Sequence, residues 1–248
     1  MCTVLIRNDP DGRWPLLLGA IRDEFVEREW DPPARHWDGP YRALVGGRDR
    51  RAGGTWLAVD PGARAVAALL NAGRREEPID EVPRPTRGTL ALRILTDAGL
   101  PEDVSRYDRF HLLRATLESA ELWSWDGDVL THALLEPGDH IIVNAGPDTD
   151  EDPLIPHFAP LLAALPSELD AWRVLLAGDG LDPGDERALV VRKEIEGHLY
   201  GTTSGSLLAV APDQVRYEFT ATPGDRASWY EVDADLVRST SSASPPRP

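Results

Sequence analysis

The residue best placed to do chemistry is Cys2, the only cysteine in the chain. Removal of Met1, which a small second residue permits, would leave a thiol and an α-amine on one residue. An α-amine has a reference pKa of about 7.7–8.0 and a thiol one of about 8.5. The neutral amine can therefore serve as base for its own thiol, and no partner histidine is required. A second-position cysteine can equally be a residue without a role, so its neighbours decide. If the apolar run 2–7 pairs antiparallel with the run 15–21, Cys2 lies opposite Arg22, Asp23 and Glu24. A guanidinium beside a thiol favours the thiolate, and a carboxylate there can hold an α-ammonium or relay a proton.

Other chemistry has weaker support. The six histidines include no i, i+4 pair, and one cysteine cannot build a Cys-rich zinc site, so no metal or other cofactor is expected. Lys193 is the only lysine, and any Schiff-base chemistry would fall to it. The segment 201–205 lacks the spacing of a nucleophile elbow, which sets Ser204 aside. Trp123 and Trp125 share one face of a strand and read as packing, with an aromatic wall for an apolar ligand as the sharper alternative.

The elements that must position Cys2 follow from period and punctuation. Residues 2–7 and 15–21 read as a hairpin turned by Asn8-Asp9-Pro10-Asp11-Gly12. Residues 28–53, rich in Arg, Asp, Pro and Gly, read as a long irregular excursion. Strands are expected at 54–59 and 65–70, the second ending at Asn71, with a loop from there to about 87. A helix is expected over 88–98, stopped by Gly99. Strands at 110–116, 121–125 and 129–134 follow, with Asp126-Gly127 turning the last pair. A buried strand, 140–144, ends at Asn144. Helices come next at 156–165 and 169–177, the second with Ser167 as N-cap and Gly178 as its stop. Strands at 188–195, 206–211 and 215–220 close a single domain of residues 1–238, with a disordered Ser/Pro-rich tail at 239–248. Strands and helices occur in blocks, without the βαβα alternation of a parallel sheet. The fold class expected is α+β, with antiparallel sheets and helices on their outer faces.

Composition bounds the partners. The formal net charge is −16, which argues against nucleic acid and acidic lipid as partners. No apolar run approaches a membrane span and no export leader opens the chain, so a cytoplasmic protein is expected, without membrane insertion. The lone cysteine suits a reducing compartment. The near-total preference for arginine over lysine reads as the codon bias of a GC-rich bacterial genome.

Met1-Cys2-Thr3-Val4, Arg22-Asp23-Glu24-Phe25 after Leu18-Gly19-Ala20-Ile21, and Gly53-Gly54-Thr55-Trp56-Leu57-Ala58 stand in that order along the chain. Together these segments resemble the NRDE family, also called the transport and Golgi organisation 2 family. Ala68-Leu69-Leu70-Asn71, Thr86-Arg87-Gly88, the stretch from Tyr107 to Leu113, Val143-Asn144-Ala145 and Tyr200-Gly201-Thr202 extend the likeness to about residue 220. Two positions depart from it: Ile21 stands where the motif has Asn, and Thr203 where many members have Arg. The family in turn resembles N-terminal-nucleophile hydrolases of the penicillin acylase and bile-salt hydrolase branch. That resemblance implies an αββα sandwich and a Cys-dependent amidohydrolase acting on a small amide or acylated metabolite. It assigns Cys2 as nucleophile, Arg22 and Asp23 as groups that set up thiol and amine, and Asn71 and Asn144 as oxyanion donors. Glu24 and Trp56 fall to substrate binding. The alternative it permits is a non-catalytic carrier of haem or of an acyl-CoA or lipid, with an apolar pocket.

Overall fold

The computed structural model describes residues 2–73 and 84–233. Strands β1 (Cys2–Asn8) and β2 (Leu16–Phe25) form a hairpin, and β3 (Trp30–Ala34), β4 (Val45–Asp49), β5 (Leu57–Asp60) and β6 (Ala65–Asn71) follow. Helix α1 (Gly88–Ile94) leads into β7 (Phe110–Ala115), β8 (Ala120–Trp125), β9 (Leu130–Leu135), β10 (Gly138–Val143) and the short β11 (Gly146–Pro147). After α2 (Leu154–Ala163) and α3 (Leu169–Leu176) come β12 (Arg192–Ile195), β13 (His198–Ala211), β14 (Gln214–Thr220) and β15 (Tyr230–Glu231). The strands build two antiparallel sheets. One runs β11-β10-β1-β2-β13-β14-β15, with β12 also paired to β13; the other runs β3 to β9 in chain order. The fold is α+β, as expected.

Side-chain alternation explains the layering. Val4 and Ile6 of β1, and Leu16 and Leu18 of β2, point at the second sheet and meet Leu57, Val66, Ala68, Leu70 and Leu113. Their neighbours Leu5, Leu17 and Ile21 point the other way, onto Phe158 of α2 and Trp172 and Leu176 of α3. On the second sheet, Ala65, Ala67 and Leu69 turn outward to Leu90 and Ala91 of α1. Both sheets are thus buried on two faces, which is why their central strands read as near-continuous apolar runs.

The elements expected from the sequence occur in the expected order, with the short strands β11 and β15 added and several corrections. The segment 28–53 is not an irregular excursion: it carries β3, a 3-10 turn at Gly39–Tyr41 and β4. Its prolines are tolerated because β3 is the edge of its sheet. Residues 54–56 do not join β5, since Thr55 Oγ1 both accepts from the Leu57 N–H and donates to the Leu57 carbonyl, closing a local turn. Ser167 does not cap α3: the N-cap is Glu168, and the Ser167 hydroxyl accepts from Arg7 at 3.4 Å. Helix α1 ends at Ile94, α2 starts and stops two residues before the expected 156–165, and β13 extends back to His198 while β12 begins only at Arg192. Gly178, with φ of 85°, does stop α3. Trp123 and Trp125 both pack in the layer beneath α1. Part of the loop before residue 87, and the tail 239–248, lie outside the described residues.

Arg7 ties the helical layer to the sheet. Its guanidinium donates to Asp139 at 2.7 and 2.9 Å, to the carbonyl of Leu162 in the last turn of α2 at 2.7 Å and to that of Leu165 just past its end at 2.6 Å. It also lies over the ring of Trp172. Replacing Arg7 with Ala strands the Asp139 carboxylate and both carbonyls. Arg7→Ala is expected to cost about 3 kcal/mol in urea unfolding; a loss below about 1 kcal/mol would show the cluster to be solvated instead.

Candidate functional site

The register of the β1–β2 hairpin pairs Cys2 with Arg22. On its other side β1 pairs with β10, Val4 opposite Ile142, so the chain leaving β10 brings Asn144 to Cys2. There the Cys2 backbone nitrogen donates to Asn144 Oδ1 at 2.8 Å. The thiol points to the Asp23 carbonyl, 4.0 Å away. Cys2, Arg22, Asp23, Glu24, Trp56, Asn71 and Asn144 all line one cleft of about 510 Å³ at the ends of the two sheets. All seven residues that the resemblance assigns to the site line that cleft.

Arg22 is the most constrained of them. Its side chain is 4% exposed, an unusual burial for arginine. Its Nη1 donates to Thr203 Oγ1 at 2.8 Å, and its guanidinium sits 4.5 Å from the centre of the Trp56 ring. Glu24 Oε2 is 3.8 Å from Arg22 Nη2 and 3.7 Å from Arg28 Nε. Thr203 occupies a β-bulge where the pairing of β13 with β2 shifts between Thr202 and Ser204. The bulge aims the Thr203 hydroxyl at Arg22, and that hydroxyl also donates to the Arg22 carbonyl at 3.2 Å. Trp56 is set by close backbone packing. A Cβ on Gly54 would come within 2.5 Å of the Gly88 backbone, and one on Gly47 within 2.4 Å of the Trp56 ring. Glycine at both positions lets the ring lie flat over the guanidinium.

Burial dominates the electrostatics. It pushes the Cys2 thiol above its usual pKa, and Arg22 pulls it down by less. The expected thiolate-favouring effect of Arg22 is present, but it is the smaller influence while the protein is folded around the thiol. Burial also lowers the Arg22 pKa and raises the Asp23 carboxyl to about 6, against a hydrogen bond from Thr202 and the charges of Lys193 and Arg22. Asp23 Oδ1 accepts from Thr202 Oγ1 at 2.7 Å, and Tyr200 donates to the Asp23 carbonyl at 3.1 Å.

The asparagines differ. Asn144 has committed its amide oxygen to the Cys2 nitrogen, which leaves its NH2 group as donor. Asn71 is exposed at the end of β6 and its side chain has no hydrogen-bond partner among the described residues. Sequence reasoning missed His111. This ring is 8% exposed, shares a hydrogen bond with Ser124 Oγ at 2.8 Å through Nδ1 and lies near the backbone of Asn144. Its burial lowers its pKa and favours the neutral ring. The signal was a polar residue inside the apolar run Phe110-His111-Leu112-Leu113. Among the described residues no three metal-ligating side chains cluster.

The two departures from the family pattern have different meanings. Ile21 faces α2 and α3 on the far side of the sheet, 2% exposed, so it takes no group away from the cleft. Thr203 lies in the site and contributes a hydroxyl that holds Arg22.

The sequence model of the family described as Transport and Golgi organisation 2 matches residues 1–159. A hairpin carrying Cys2 and Arg22, a second sheet carrying Trp56 and Asn71, and a strand ending at Asn144 all fall inside that span, and the chain belongs to this family. The likeness at Tyr200-Gly201-Thr202 lies beyond it. No curated protein matches the chain.

Asp23 makes the stability pH-dependent in a defined direction. Its folded pKa, about 6, exceeds its ordinary 3.8, so the native state holds a proton that the unfolded chain releases between those values. Stability from this group is present below pH 4 and lost as pH rises to 6. The stability difference between Asp23→Asn and the parent should therefore shift in favour of the variant by about 3 kcal/mol from pH 3.5 to 7. Chemical unfolding at the two pH values checks this, and a shift of the opposite sign refutes a buried, raised carboxyl. Ile21→Asn, which restores the family residue, should destabilise by about 3 kcal/mol because it buries an amide among Phe158, Trp172 and Leu176. A neutral result would mean that position 21 reaches the cleft.

Proposed function

We propose that the protein is a cysteine-dependent N-terminal-nucleophile amidohydrolase of αββα architecture, acting in one domain on a small amide or acylated metabolite in the cytoplasm. The observation that carries this is the Cys2 nitrogen, held at 2.8 Å by Asn144 in a cleft where Arg22 is paired across from it. With Met1 removed, that nitrogen is the α-amine. The amine takes the proton of the Cys2 thiol as sulfur attacks the amide carbonyl, and Asn71 and the Asn144 NH2 donate to the oxyanion that forms. The same amine returns the proton to the leaving nitrogen as the C–N bond breaks. Water then cleaves the thioester and frees the acid. Arg22 moderates the rise in thiol pKa that burial causes. Asp23, raised to about 6, holds the amine end of the site. Glu24 and Trp56 line the path of the substrate.

Three measurements test the reading. Intact mass should show Met1 absent, since a peptide nitrogen cannot act as base. An amide-hydrolysis screen should give turnover that falls at least about a hundredfold in Cys2→Ser and vanishes in Cys2→Ala. The thermal midpoint of Cys2→Ala should stay close to the parent's. Hydrolysis that survives Cys2→Ala would sink the mechanism. No hydrolysis in any sample, with tight haem or acyl-CoA binding that ignores Cys2, would replace it with a carrier.

A further inference from the structure

The chain as a whole is acidic, with 42 Asp and Glu against 26 Lys and Arg. The cleft reverses that balance. Among its described lining residues are four arginines, at 22, 28, 51 and 87, and three acids, Asp23, Glu24 and Asp49. The acids are already engaged. Glu24 lies between Arg22 and Arg28, Asp49 ion-pairs with Arg28 at 2.5 Å, and Asp23 is buried and accepts from Thr202 Oγ1 at 2.7 Å. Arg51 is left over: its guanidinium has no hydrogen bond or ion pair with any described residue.

Arg51 is also held out deliberately. The turn between β4 and β5 that carries it is fixed by Asp49, whose Oδ1 accepts from the backbone nitrogens of Arg51 and Ala52 at 3.0 and 2.8 Å. Gly53 closes the turn with φ of 72° and a bond from its nitrogen to the Asp49 carbonyl, and Trp37 donates to the Gly53 carbonyl. One carboxylate therefore neutralises Arg28 and builds the turn that presents Arg51, unneutralised, to the cleft. A second hollow of about 550 Å³, with Phe25 in its wall, shares Glu24, Phe25, Arg28 and Arg51 with the first. Arg51 thus stands where the two join.

We propose that the substrate carries an anionic group, a carboxylate, sulfonate or phosphate, some bonds away from the amide that is cut, and that Arg51 is its docking point. This rests on the hydrolase reading and names its substrate class. An unpaired guanidinium carried on a braced turn binds oxyanions in a fork without first breaking an internal ion pair. The positive lining also concentrates anions in the cleft of a protein whose remaining surface repels them.

The test uses the thiol and needs no turnover. Cys2 is alkylated with iodoacetyl-glycine, iodoacetyl-γ-aminobutyrate and iodoacetyl-ε-aminohexanoate, each beside its neutral carboxamide, and the ratio of anionic to neutral rates is compared with that of N-acetylcysteine. At one or more chain lengths the ratio should exceed the free-thiol value by about tenfold and fall at least about threefold in Arg51→Gln, with Arg51→Lys between them. It should collapse near 1 M salt, where the screening length is about 3 Å. In parallel, the acetyl analogues of the same pairs are titrated calorimetrically into Cys2→Ala, which reads the anion preference even where the thiol is unreactive. Ratios equal to the free thiol at every length, or unchanged in Arg51→Gln, with no carboxylate preference in the calorimetry, overturn the proposal. Because neither readout involves hydrolysis, an anion preference without turnover condemns the hydrolase reading alone, and turnover without preference condemns this proposal alone.

Discussion

The site depends on one constraint, the antiparallel register of β1 between β2 and β10. Pairing Cys2 with Arg22 and Val4 with Ile142 puts a thiol, a guanidinium and an asparagine amide at one end of the sheet. Side chains in a strand alternate between faces, so a slip of one residue would carry the whole set across. Ile21 would then enter the cleft and Arg22 would be driven into the layer of Phe158 and Trp172. The apolar alternation of Val4, Leu5 and Ile6 against Leu16, Leu17 and Leu18 forbids that slip, because both faces of the sheet are covered. The core thus fixes the chemistry: residues with no part in the cleft decide which residues are in it.

Burying a guanidinium beside a thiol has an electrostatic cost, and the surrounding contacts offset it. Arg22 has lost most of its water and receives in return the Thr203 hydroxyl, the Trp56 ring and a longer-range contact with Glu24. A neutral hydroxyl at position 203 satisfies Arg22 without adding a second positive charge beside it, which an arginine there would do. The Arg22 charge then lowers the Cys2 thiol pKa, with the chain's N-terminal ammonium acting in the same direction. Both Thr203 and Trp56 depend on local irregularity, the first on a β-bulge and the second on glycines at 47 and 54 that admit no side chain.

The hairpin, the strand ends at Asn71 and Asn144 and the order of elements were legible because each is a local apolar run ended by turn residues. The segment 28–53 was not. Its two strands contain Pro32, Pro33, Gly46 and Gly47, residues that argue against a strand locally and are accommodated by an edge position and by contact with Leu57 and Trp56. Ser167 was misread for the same kind of reason, since its hydroxyl answers Arg7, far away in sequence. In the site, Cys2 and Arg22 were legible as a pair because their register follows from a hairpin. Arg51 was not, because it is brought to the cleft by the packing of one sheet on the other, which no local pattern encodes.

The hydrogen bond at Cys2 does not depend on what else its nitrogen is bonded to. Asn144 Oδ1 is an acceptor, and it accepts equally from a peptide N–H, an amine or an ammonium. The hydrogen bond that places the nitrogen therefore needs no rearrangement when the peptide bond to Met1 is cut. What changes is the nitrogen's chemistry: an amide cannot take a proton from the thiol, and an amine can. Burial raises the thiol pKa in a cleft lined by arginines. On the opposite sheet, burial beside Ser124 favours the neutral ring of His111.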